Sequence, residues 1–415
     1  MRKLALAVLL QFFLASVYSQ GEFITISGRI VDAETQEPLS FATLNIQYSA
    51  KGVVANEAGE FEFTFQKEHL SDTIVFSMTG YQTEKALAQS LSVDKRNTIE
   101  LVSKEVMLAE VVVTDKKLTA LEILELAKKN IKSNYPTKPF EFQAFYRDYK
   151  QENGTCISIF EAAISVYDKG YSKVADRYVL KEKVVLDQVR KSLSVDYQTH
   201  AFKRINVIKE NLTLNDVRYQ SRALSKRRAK DYEYELAGYE IINDRLMYKI
   251  KAKDDWKYYI YVDVVTYAIP RIEMDFKWIE GTDENTWTLG DTIRYYQTTA
   301  TLLMDFQLID NLHYPKYCGF TTQLEASDPE SDSLLFTSYL KQELMVTDID
   351  FNPEEKPEKS YRMDPYLMIE QQEFTYDPEF WKNYNVLKLH PRDERLIQGL
   401  EERMKLEKQF QATNQ

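Results

Sequence analysis

Apolar and polar residues alternate with a period of two through Ser27–Tyr81, in short runs. Phe61, Phe63 and Phe65 are separated by Glu62 and Thr64, so one face of that stretch is apolar and the other polar. The runs are punctuated at Glu37-Pro38, Lys51-Gly52, Asn56-Glu57-Ala58-Gly59 and Thr79-Gly80. Short alternating runs between closely spaced turns predict a small antiparallel β-sandwich over residues 22–103. Gly59 and Gly80 suit turn positions with positive φ. Residues 104–117 read as a connector holding one strand, Glu110-Val111-Val112-Val113-Thr114.

At Thr119 the period changes. Thr119-x-x-Glu122 is a capping box, and Leu121, Leu124, Ala127 and Ile131 recur at helical spacing. Lys128, Lys129 and Lys132 suit the C-terminal end of that helix, which should stop near Asn134, before Tyr135-Pro136. From Phe140 to Thr347 aromatic and β-branched runs return, and one continuous antiparallel meander is the simplest reading. Leu246, Tyr248, Ile250, Tyr258 and Ile260 fall on one apolar face of it, with Lys249, Lys251 and Lys253 on the other. Residues 118–350 are therefore expected to form a helix plus a large antiparallel sheet. Residues 351–415 change character again, with a Pro-containing linker, a helix start at Asp377-Pro378, and a helix from Pro391 whose stripe is Leu396, Ile397, Leu400 and Met404. The expected fold class is mainly β.

Four segments carry resemblances. Gly28, Val31, Asp32, Pro38, Leu39, Ala42, Asn56, Gly59, Phe61, Phe63, Phe76, Gly80 and Tyr81 fit G-x-V-x-D, P-L-x-x-A, N-x-x-G-x-F and F-x-x-x-G-Y. This set resembles the carboxypeptidase-regulatory-like (transthyretin-like) domain of Bacteroidota envelope proteins, which implies an Ig/transthyretin-like sandwich. The strand Leu108–Thr114 is similar to the one that follows this domain in TonB-dependent receptors. Leu236, Gly238, Tyr248, Ile250, Tyr261, Asp263, Thr266, Tyr267 and Arg271 resemble the curved sheet of outer-membrane lipoprotein carriers. The tail YDPEFWKNYNVLKLHP is similar to tails of related Bacteroidota envelope proteins.

Residues 1–19 read as a secretory signal peptide: Arg2 and Lys3 precede an apolar run, and Val17 and Ser19 suit a cleavage site before Gln20. The expected compartment is periplasmic or outer-membrane-associated. The formal charge is −11, and losing Arg2 and Lys3 makes it more negative. That balance argues against nucleic-acid binding. No later segment is apolar enough for a transmembrane helix. Cys156 and Cys318 are the two cysteines, bridged or buried as free thiols.

Chemistry is harder to find. None of His69, His200, His313 and His390 has a glutamate three residues on, and no H-E-x-x-H occurs, so no metal site is expected. G-x-S-x-G, a P-loop and G-x-G-x-x-G are also missing. No catalytic residue and no cofactor is assigned. The basic run Arg222, Lys226, Arg227, Arg228 and Lys230 suits either a phosphate or lipid headgroup or a solvated loop. Asp72-Thr73, Asp291-Thr292 and Asp332-Ser333 resemble the Bacteroidota O-glycosylation motif, with Thr73, Thr292 and Ser333 as acceptors. The function expected is non-enzymatic binding, docking or assembly in the envelope, with a protein partner or a lipid or glycan ligand. The alternative is an envelope-polymer hydrolase using converging carboxylates. Tyr248, Ile250, Tyr258 and Ile260 are the candidate ligand contacts, if the sheet face encloses a cavity and is not covered by helices.

Overall fold

The computed structural model describes residues 22–104, 118–172, 179–193, 202, 206–225, 233–253, 257–277, 286–289, 293–402 and 404–413. The expected signal peptide and the Glu110–Thr114 strand lie outside these residues.

The chain is mainly β. Its N-terminal sandwich contains β1 (Phe23–Asp32), β2 (Thr43–Ile46), β3 (Gly52–Val54), β4 (Glu60–Gln66), β5 (Thr73–Ser77), β6 (Glu84–Leu87) and β7 (Asn97–Leu101). One sheet is ordered β4-β1-β7 and the other β3-β2-β5-β6. One pairing departs from the antiparallel expectation: β1 and β7 run parallel. Phe61, Phe63 and Phe65 are buried, as their alternation required. Gly59 has φ +70°, and a Cβ there would sit 2.5 Å from the Ile30 carbonyl oxygen. Asp32 accepts the Glu34 and Thr35 amides at 2.8 Å and the Tyr81 hydroxyl at 2.9 Å. These domain-signature residues thus hold turns and strands together.

The remaining strands are β8 (Phe140–Glu152), β9 (Thr155–Asp168), β10 (Lys183–Lys191), β11 (Tyr234–Ile242), β12 (Arg245–Ala252), β13 (Lys257–Asp263), β14 (Arg271–Lys277), β15 (Thr286–Leu289), β16 (Ile293–Ile309), β17 (Leu312–Ser327) and β18 (Leu334–Asp350). They form one antiparallel sheet, ordered β10-β9-β8-β18-β17-β16-β14-β13-β12-β11, with β15 pairing β16. The strands therefore do not follow one another as the continuous meander expected. β8 closes on β18, and β10 and β11, consecutive in sequence, stand at opposite edges. The connection between them has to cross the sheet.

That crossing carries α3 (Val207–Thr213) and α4 (Asp216–Tyr219), and α1 (Ala120–Lys129) and α2 (Ile131–Asn134) pack beside it. The capping box at Thr119 forms as expected, and the helix breaks at Asn130 before ending at Asn134. Together these helices cover one face of the sheet. The opposite face receives the sandwich: Phe145, Ala163, Tyr317 and Met345 share a core with Leu44, Val54 and Phe76.

The C-terminal segment locks this stack. Met363 and Thr375 hydrogen-bond along edge strand β10, which shields its free backbone groups. Trp381, on α5 (Pro378–Asn383), joins the sandwich core, and Asn385 exchanges two 2.8 Å bonds with Thr64. Asn56 donates to the Leu389 carbonyl at 2.9 Å. On α6 (Pro391–Gln398), Asp393 meets Lys341 at 3.0 Å, and Lys341 also reaches Glu57 at 2.8 Å. The expected stripe is only partly apolar core: Ile397 and Leu400 are buried, whereas Met404 is exposed, because the helix stops short of it before α7 (Leu406–Ala412).

Candidate functional site

The strand register aligns a row of side chains across the helix-covered face. Ile250, Ile260, Ile272, Met304, Cys318, Leu344, Tyr146, Ala162 and Val189 are successive cross-strand partners. All are buried against the helical cover. Ile250 and Ile260 therefore sit where the sequence pattern puts them, but as packed core. Tyr258 is buried and donates to Asp216 of α4 at 2.9 Å. Tyr248 is half-buried and packs beside Tyr239. These four residues share a face without enclosing a cavity. A void of about 30 Å³ remains nearby, between Phe142, Tyr171, Leu212 and Met304, room for about one water.

The cover is fastened by charge as well as by apolar contact. Arg218 of α4 donates to Asp168 at 2.7 Å and lies 4.0 Å from Glu182. Tyr219 donates to Glu182. Burial pushes the Glu182 carboxyl up to about 7; the Asp168 charge adds to this and Arg218 opposes it. Arg222, from the basic run, pairs with Asp216 at 3.0 Å, while Lys226–Lys230 lie outside the described residues.

The opposite face behaves differently. Its neighbouring row reads Lys249, Tyr261, Arg271, Asp305, Tyr317, Met345, Phe145 and Ala163. The apolar end meets the sandwich, and Phe41 lies 5.4 Å from the Tyr317 ring. Towards the polar end the two bodies separate, then meet again where the Gly80 amide donates to the Ile241 carbonyl at 2.7 Å. The cleft between these contacts has a volume of about 340 Å³. Its sandwich wall presents Asn45, Gln47, Ser77 and Lys85; its sheet wall presents Arg271, Asp305, Gln307 and Lys316. Tyr48 stands at the rim, 94% exposed, with φ +61°. An exposed aromatic residue in the left-handed region is uncommon and marks a turn worth functional attention.

Three ionisable groups form the cleft floor. Arg271 donates from Nη1 to both Asp305 oxygens, at 3.0 and 2.9 Å, and from Nε to Glu273 at 2.6 Å. Burial raises the Asp305 carboxyl above its ordinary range despite Arg271. Lys316 is the extra residue of a β-bulge: Asp305 pairs with Tyr317 and Phe306 with Pro315. It is 2% exposed. Its ammonium donates to the Val346 carbonyl at 3.4 Å and has no ion-pair partner among the described residues. Burial brings it down to about 7, opposed by Asp348. Sequence reasoning named Arg271 only within a resemblance and missed Asp305 and Lys316. Pro315 was the available signal, since a proline inside a central strand has to sit at a bulge.

Two other hollows are less bounded. One of about 760 Å³ flanks the outer side of α1, and one of about 430 Å³ lies between Tyr149, Thr337 and Arg392. Of the histidines, His69 pairs with Asp72 at 2.7 Å, His390 accepts the Arg392 amide, and His313 is buried against the Asn134 carbonyl. Among the described residues no group of three or more His, Cys, Asp or Glu could hold a metal ion, and no helix is long and apolar enough to cross a membrane. Cys156 and Cys318 are both free and buried, in different cores. Thr73 is half-buried at the start of β5, Ser333 is in an exposed turn, and Thr292 lies outside the described residues.

Residues 26–113 match the CarboxypepD_reg-like domain family, which identifies the N-terminal domain. No curated protein matches the chain. Among solved structures, a LolA superfamily protein from Nitrosomonas europaea is 12% identical over 60% of this chain and 100% of its own, with a TM-score of 0.20. A putative outer membrane lipoprotein-sorting protein domain from Vibrio parahaemolyticus is 9% identical over 57% and 95%, with a TM-score of 0.24. A putative membrane-associated protein of unknown function from Bacteroides fragilis is 12% identical over 79% and 98%, with a TM-score of 0.16. Similarity at these scores carries no functional conclusion.

Proposed function

We propose that this chain is a non-catalytic binding protein of the cell envelope that holds a polar, glycan-type segment between its sandwich and its large sheet. One observation carries the reading. The apolar sheet face is filled by the chain's own helices, whereas the sandwich face keeps an open cleft of about 340 Å³. Interdomain clefts with a few converging polar groups are preferred ligand sites. Asn45, Gln47 and Gln307 offer donors and acceptors to hydroxyl groups, and Tyr48 offers a flat ring to the apolar face of a sugar. No reaction is assigned to the cleft. Its buried carboxylate, Asp305, is committed to Arg271, as is the neighbouring Glu273.

Isothermal titration of the purified chain with cellobiose and N,N′-diacetylchitobiose tests this. Binding of either one, weakened about tenfold or more by Tyr48→Ala, is the expected result. The reading fails if neither sugar binds and solvent extraction of protein taken from its own envelope releases stoichiometric acyl chains. The ligand would then belong under the helical cover.

A further inference from the structure

We infer that the cleft takes an acidic glycan, and that Lys316 is the residue that receives its carboxylate. This rests on the cleft being the ligand site and adds the charge class of the ligand. An ammonium has three donors, and Lys316 uses one of them, in a long bond to the Val346 carbonyl. A buried charge without a counter-ion is costly, and a lysine that served packing alone would be better replaced by an apolar side chain. Here the side chain comes from a bulge, the device by which a strand re-aims one residue, and it lines the cleft.

The other charges around the floor leave this position open. Arg271 and Asp305 satisfy each other. Asp348, on β18, acts on Lys316 only from beyond ion-pair distance. Lys85 is at the sandwich wall, and Asp244 and Asp310 are exposed at the mouth, where water screens them. A carboxylate reaching the floor would supply the missing counter-charge. Lys316, brought down to about 7 by burial, would take up a proton as the carboxylate arrives.

Cellobiose and cellobiouronic acid, which differ by one carboxylate, provide the probes. At pH 6 the acidic sugar should bind at least tenfold more tightly than the neutral one, and this preference should decay as the pH rises to 8.5. The heat of binding at pH 7.5 should depend on the buffer's ionisation enthalpy, which reports proton uptake. Lys316→Met should abolish the preference for the acidic sugar. Lys316→Arg should keep the preference and lose its pH dependence. A preference that survives in Lys316→Met overturns the inference, as does equal binding of the two sugars by the native protein. Equal binding leaves the cleft reading standing; failure of both sugars to bind overturns the inference, and removes the cleft reading too if N,N′-diacetylchitobiose also fails to bind. Should Lys316→Met not fold, the pH profile and proton uptake of the native chain still decide.

Discussion

The two faces of the large sheet are built from the same strands and the same alternation, yet one is closed and the other holds a cleft. On the helix-covered face, an apolar row runs unbroken from Ile250 to Val189. The segment joining edge strands β10 and β11 must cross that face, so the chain supplies its own cover. On the sandwich face the row changes from polar to apolar between Asp305 and Tyr317. The sandwich packs on the apolar part and leaves the polar part open. A face is sealed by chain that has to cross it; two packed surfaces meet only where they are complementary.

The sharpest break in this comparison lies under the cover. Arg218→Met would leave Asp168 and Glu182 buried without their cation, and should cost about 3–5 kcal/mol of unfolding free energy by chemical denaturation. Native stability would show that the cover is not charge-fastened. Ile250→Ala, in the apolar row, should cost about 2–5 kcal/mol, with no added acyl-chain binding to the folded protein. Tight uptake of a fatty acid by that variant would show that the face is a ligand pocket.

Next come two opposite pH dependences. Lys316 is lowered to about 7 in the fold, so between roughly pH 7 and the ordinary lysine value the unfolded chain binds more protons, and stability rises with pH. Lys316→Met should therefore stabilise the protein by on the order of 2–4 kcal/mol at pH 6, with the gain shrinking towards pH 10. Glu182 is raised to about 7, so the folded chain binds more protons between the ordinary glutamate value and pH 7. Its contribution is present at low pH and is lost as pH rises through 7. Glu182→Gln should flatten that slope, by on the order of 2 kcal/mol across the window. Melting temperatures measured from pH 4 to 10 read both; slopes of the same sign would refute the assignment.

The smallest effect concerns the cysteines, which lie in different cores. Burial pushes both thiols up to about 12, so neither should react with a disulfide reagent in the native state at pH 8, and both should react once the chain unfolds. Fast labelling of one alone would mark a locally open region, and its identity would say which core opens.

Local pattern made much of this legible in advance. The sandwich turns, the buried Phe61-Phe63-Phe65 face, the Thr119 cap and the helix starts at Pro378 and Pro391 follow from neighbouring residues alone. The apolar set Ile250, Tyr258 and Ile260 was also legible, because alternation within a strand reports which residues share a face. What covers that face was not. The pairing of β8 with β18 joins residues as distant as Glu141 and Asp350, and that pairing sends β10 and β11 to opposite edges. Lys316 shows the same limit at the scale of one side chain. Its position beside Pro315 marks an irregular strand, but its lack of a counter-ion depends on Arg271, Asp305, Asp348 and the sandwich all being in place. Short-range sterics and hydrophobic periodicity are written in consecutive residues, whereas burial and charge balance are sums over neighbours that only the folded chain brings together.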